Sequence, residues 1–112
     1  MSDCLFCKII QGTIQAKVVH EDPDMLVIED INPQAPVHVL VIPKKHVDRI
    51  AALTPENIPL MGNIIFGAKT LAQKKGWQDY RLVFNNGEEA GQSVFHIHLH
   101  LLSGRPMNWP PG

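Results

Sequence analysis

The chain has 112 residues, of which 45% are hydrophobic and 19% charged, a balance that fits one folded domain over residues 1–112 and excludes disorder as its bulk state. Ten Lys and Arg stand against 11 Asp and Glu, a formal charge of −1, so the cationic surplus that drives nucleic-acid binding is missing. No apolar run reaches the roughly 20 residues of a membrane-spanning helix and no charged-then-apolar leader pattern stands out; a soluble, cytoplasmic protein without nucleic-acid or membrane partners is expected.

Cys4 to Gln11 (CLFCKIIQ) is predicted as a short helix, with Gly12 as its C-terminal stop. Val18 to Glu21 is β-prone, and Met25 to Asp30 (MLVIED) is a strand after the turn residues Asp22-Pro23-Asp24. Asn32-Pro33 marks another turn before Val37 to Pro43 (VHVLVIP), the clearest early strand. A helical turn is expected near Val47 to Ala52. The main helix runs from about Pro59 to Lys75, with Met61, Ile64, Ile65, Ala68, Leu71 and Ala72 on one apolar face and Gly76 at its end. Its start has two candidates, Thr54-Pro55 as N-cap and first helical residue, or Pro59 in that role. Tyr80 to Asn85 and Val94 to Leu102 (VFHIHLHLL) are the last strands, separated by a polar Gly-rich loop and followed by an irregular tail with Trp109. This order predicts an α+β domain with a mostly antiparallel sheet. Apolar residues on both sheet faces need cover, and a homodimer is one source of it.

Two features carry chemistry. Cys4 and Cys7 are too close to brace the fold by closing a long loop, and in a reducing compartment such a Cys-x-x-Cys reads as a redox pair or half of a metal site. Three of the six histidines fall at positions 96, 98 and 100. On a strand they would share one face, spaced roughly 6–7 Å apart, with Phe95, Ile97, Leu99 and Leu101 turned to the core. Three imidazoles in a row are a costly way to fill a surface, which argues against a purely structural role. Such a strand could hold a catalytic zinc. Alternatively, its middle ring could be a nucleophile, neutral because crowded histidines discourage one another's protonation.

The segment His96-Ile97-His98-Leu99-His100-Leu101-Leu102 resembles the His-φ-His-φ-His-φ-φ motif of the histidine triad (HIT) family. Asp30-Ile31-Asn32-Pro33-Gln34-Ala35-Pro36, His38 and Val41-Ile42-Pro43-Lys44-Lys45-His46 are similar to that family's nucleotide-binding half. Gly91-Gln92-Ser93-Val94, Gly104-Arg105-Pro106 and Trp109-Pro110-Pro111-Gly112 are similar to its Hint branch.

The resemblance implies a five-stranded HIT-like sheet with one long and one or two short helices, dimerising into a continuous sheet. It implies hydrolysis of purine nucleoside 5′-phosphoramidates, with AMP or GMP as the nucleotide. His98 would be the nucleophile, His100 a donor to the phosphate, Ser93 a partner of the departing nitrogen, and His96 and His38 supporting rings. Asp30 would hold the ribose; Asn85, Gln92 and Val94 would contact sugar or phosphate. Leu5, Phe6, Ile9, Ile14, Ile28 and Ile31 would line the base slot, and Trp109 would act near the partner's site. Ile28 stands where the closest Hint proteins often carry an aromatic, which implies weaker base stacking. No cofactor is implied for catalysis. Cys4 and Cys7 are similar to the pair of other HIT proteins in which His46 and His96 would complete a structural zinc site. Dinucleoside polyphosphate hydrolysis, a triad-held catalytic zinc, and nucleotide binding without turnover are the alternatives.

Overall fold

Period-two alternation sorts the apolar side chains onto two faces of a single sheet. The computed structural model describes residues 3–112. Five strands, β1 (Val18–Glu21), β2 (Met25–Glu29), β3 (Val37–Pro43), β4 (Tyr80–Val83) and β5 (Leu99–Ser103), form it in the order β1-β2-β3-β5-β4. Every neighbouring pair is antiparallel.

Met25, Val27, Val39, Val41, Leu99 and Leu101 face one way and pack against Ile64, Ala68, Leu71 and Ala72 of helix α2 (Ile58–Lys75). Leu26, Ile28, Leu40 and Ile42 face the other way and pack against Phe6 of helix α1 (Leu5–Ile10). Cover for both faces thus comes from within the chain. Helix α1 has Cys4 as N-cap, accepting from the Cys7 N–H, and it stops where Gly12 takes φ +84°. Thr54-Pro55 opens a 3₁₀ turn (Pro55–Asn57) with a reciprocal Thr54–Asn57 cap, and α2 follows directly, so both candidate starts are used. Gly76, at φ +79°, ends α2.

Three expectations are corrected. The last strand begins at Leu99 rather than Val94: residues 94–96 bend, and in place of a strand ladder the Ile97 N–H bonds to Val47 O at 2.8 Å. Phe95 accordingly leaves the core and lies under the Arg49 guanidinium, 4.8 Å from its ring centre. Strand β4 ends at Val83 instead of Asn85. On α2, Ile65 is exposed and Met61 half-buried, because the stripe that meets the sheet is narrower than the apolar one in the sequence.

Candidate functional site

The bend before β5 divides the three histidines between two clusters. His96 is fully buried and turns back under α1. Its Nε2–H donates to the Pro43 carbonyl at 2.7 Å, which leaves Nδ1 as a lone pair. That nitrogen lies 3.0 Å from His46 Nδ1, 3.4 Å from Cys4 Sγ and 3.6 Å from Cys7 Sγ, and Cys7 Sγ is 3.4 Å from His46 Nδ1. All four atoms fall within 4.8 Å of one another. Two sulfurs and two imidazole nitrogens on so small a figure, with one nitrogen's proton held on its far side, are the donor set of a closed tetrahedral zinc site. Cys4, Cys7, His46 and His96 would hold the ion, tying α1 to the end of β3 and to the segment before β5.

The second cluster stands on the same sheet face, beside the first. His98 Nδ1–H donates to the His96 carbonyl at 2.8 Å, so its Nε2 is unprotonated, and the ring lines a cavity of about 530 Å³. Phe6 packs edge-on against it, 4.9 Å between ring centres. Gln34 N–H donates to His38 Nδ1 at 3.1 Å, which puts the His38 proton on Nε2, 2.9 Å from His100 Nδ1 and 3.3 Å from Asp30 Oδ2. With its Nδ1 accepting, the His100 ring carries its proton on Nε2 and is a donor. Burial pushes His38 and His98 below the ordinary imidazole range, against a weaker opposite pull from Asp30 on His38 and from the His96 carbonyl on His98. His100 is pushed down to about 4 by burial and by its neighbours His98 and His38. The rings are neutral at pH 7. Asp30, His38 and His100 also lie within 4.8 Å, yet the Gln34 N–H keeps a proton on the His38 nitrogen a metal would need. This cluster is suited to proton and phosphate chemistry rather than to a cation.

Leu5, Phe6, Ile9, Ile14, Ile28 and Ile31 line the cavity, with Asp30, Ser93, Val94, His98 and His100. Ile31 nonetheless stands wholly exposed at its mouth. Asp30 Oδ1 accepts from Asn32 N–H at 2.8 Å, so the carboxylate shapes the turn while it lines the cavity. Three expected contacts are not in the cavity wall. Gln92 is buried with every side-chain polar atom engaged: Oε1 accepts from Gly87 N–H, and Nε2 donates to Asp48 O and Val94 O. It shapes the Ser93–Val94 segment instead. Asn85 sits against Gly91, and Trp109 is exposed on the tail, which Arg81 holds through Asn108 O. Gln15, Ala16, Lys17, Glu29 and Leu40 also line the cavity and were not anticipated; the alternation of β2 and β3 flags Leu40, whereas the loop residues carry no sequence signal. A larger hollow of about 850 Å³ at the β4 end, between Trp77, Asp79, Arg81 and Arg105, contains no histidine. Among the described residues no helix is long and apolar enough to cross a membrane.

A protein family described as "Scavenger mRNA decapping enzyme C-term binding" matches residues 3–109. The chain is 53% identical over 111 residues to an uncharacterised HIT-like protein of Synechocystis, covering 98% of this chain and 97% of that one. It is 46% identical over 114 residues to a 14 kDa zinc-binding protein of Zea mays, covering 99% and 89%. Among solved structures, a HIT family hydrolase from Legionella pneumophila superposes with a TM-score of 0.95 at 54% identity, covering 98% of this chain and 100% of that one. A histidine triad nucleotide-binding protein from Candida albicans superposes with a TM-score of 0.80 at 30% identity, covering 96% and 83%.

Proposed function

This chain belongs to the histidine triad family, and we propose that it is a hydrolase that cleaves purine nucleoside 5′-phosphoramidates to a nucleoside monophosphate and an amine. One observation carries the proposal: His98, neutral and with its Nδ1 proton held by the His96 carbonyl, offers a free Nε2 at the wall of an apolar cavity shared with Ser93 and His100.

The chemistry is a double displacement. His98 Nε2 attacks phosphorus, the P–N bond to the amine breaks, and the departing nitrogen takes a proton from solvent relayed through the Ser93 hydroxyl. Water then attacks phosphorus and returns a proton to solvent, the bond to His98 breaks, and the ring returns to its neutral form. His100 Nε2–H and the backbone N–H groups near Ser93 and Val94 serve as donors to the equatorial oxygens, where charge gathers in the transition state. The base occupies the slot between α1 and β2, and the Asp30 carboxylate accepts from the ribose hydroxyls. Zinc at the Cys4, Cys7, His46 and His96 set would supply stability and no chemistry, since four protein ligands leave no position for water. The 14 kDa zinc-binding relative supports that part of the reading.

A homodimer belongs to the same proposal. Among the described residues β4 pairs with β5 alone, and Leu82 on it is exposed. Steady-state kinetics of the wild type and His98→Ala on adenosine phosphoramidate and on a diadenosine polyphosphate test the activity. Faster turnover of the phosphoramidate, and an AMP adduct on His98 by mass spectrometry after rapid quench, are expected. An alanine variant that turns over normally would end the proposal.

A further inference from the structure

Helix α1 has six residues, short of the roughly 12–15 at which an isolated helix holds itself together. Its place therefore depends on what its side chains grip. On one side Phe6 packs into the sheet and against the ring of His98. On the other, the sulfurs of Cys4 and Cys7 meet His46 and His96. His96 has a double connection, because its ring faces the sulfurs while its carbonyl accepts the His98 proton. The two sulfurs thus hold both a wall of the cavity and the residue that orients its reactive ring. Cys4 is partly exposed and Cys7 buried one helical turn away, their Sγ atoms within 4.8 Å. A small oxidant can reach the outer sulfur, and the inner one is placed to resolve it.

We propose that Cys4 and Cys7 are a peroxide-oxidisable pair whose conversion to a disulfide dismantles the four-residue cluster and loosens the nucleotide cavity. Cys4 sulfur attacks one oxygen of hydrogen peroxide, the O–O bond breaks, and a sulfenic acid and water result. Cys7 sulfur then attacks Cys4 sulfur and expels a second water. The two thiols lose two electrons and two protons, and the peroxide becomes two waters. Where the sulfurs are bound to zinc as thiolates, solvent supplies the two protons and the ion leaves. Reduction by a dithiol restores the pair. The crosslink stands apart from the hydrolase reading, while its effect on nucleotide affinity rests on that reading's cavity.

The test treats zinc-loaded protein with hydrogen peroxide and follows peptide mass, released zinc and AMP affinity by calorimetry. The expected result is a Cys4–Cys7 crosslink lighter by about two daltons, roughly one ion released per chain, and AMP affinity lowered about tenfold or more. Dithiothreitol with zinc should reverse all three. Cys4→Asp, which keeps an anionic ligand but cannot crosslink, should keep through peroxide treatment whatever AMP affinity it starts with. Sulfurs that remain reduced, or that oxidise singly while the ion stays, would overturn the proposal, as would a crosslink that leaves wild-type AMP affinity unchanged. Untreated protein that binds AMP but hydrolyses no phosphoramidate would sink the hydrolase reading alone, with the affinity measurement still deciding the switch.

Discussion

Two imidazole clusters lie side by side on one face of the sheet, and the difference between them is what stands behind each ring. Behind His96 is the Pro43 carbonyl, so its inward nitrogen is a lone pair facing two sulfurs and the His46 nitrogen. Behind His38 is the Gln34 N–H, so its inward nitrogen carries a proton toward His100 and Asp30. A backbone acceptor makes the first ring a ligand; a backbone donor makes the second a link in a proton network. Identical side chains can therefore serve a structural centre and a proton network, according to the backbone group behind each ring.

The sharpest way to break this division is His98→Ala. It should slow phosphoramidate hydrolysis on the order of 10⁴-fold or more while bound zinc, measured by elemental analysis, stays unchanged. Loss of the metal in that variant would mean the clusters are one site. Chelation is the complementary experiment. With metal a hundredfold above its Kd the folded state gains about 3 kcal/mol, and each kcal/mol moves Tm by about 4–8 °C in a domain of this size. Stripping the ion should therefore lower Tm by about 10–20 °C in a calorimetric scan, and an unmoved melting curve would remove zinc from the account.

Gln92→Ala probes the support beneath Ser93 and Val94. It leaves the Gly87 N–H and the Asp48 and Val94 carbonyls without this partner, which should cost about 1–3 kcal/mol in urea unfolding. A neutral result would return Gln92 to the ligand-contacting set.

The second cluster also sets a pH dependence. His100 in the folded chain titrates at about 4 against an ordinary 6.5. Between those values the unfolded chain binds a proton that the folded ring refuses, so this contribution to stability is present above pH 6.5 and is lost as pH falls toward 4. His100→Asn should flatten that part of the wild-type acid slope in pH-dependent melts; an unchanged slope would place the acid sensitivity elsewhere.

Much of this was legible in the residues, and the misses have physical causes. Apolar, β-branched runs bounded by turn residues, MLVIED and VHVLVIP, placed β2 and β3, and the three- and four-residue spacing through Ile64, Ala68 and Leu71 placed α2. The same logic overextended the last strand, because β propensity in VFHIHLHLL does not register the bend at residues 94–96, beside which His96 meets the cysteines. Gln92 was expected as a ligand contact from the family resemblance, and its inward turn depends on the Asp48 carbonyl, 44 residues away, as well as on Val94 close by.

Local pattern alone determined the sheet, the two helices and the concentration of imidazole near the end of the chain, since periodicity and capping act within a few residues. Which nitrogen of each ring keeps its proton, and so which histidine belongs to the sulfurs and which to the cavity, was decided only when Pro43, Gln34 and the His96 carbonyl were brought against them. A tautomer is chosen by the ring's hydrogen-bond partner; for His38 that partner is the nearby Gln34, whereas for His96 it is Pro43, which only the fold brings against the ring.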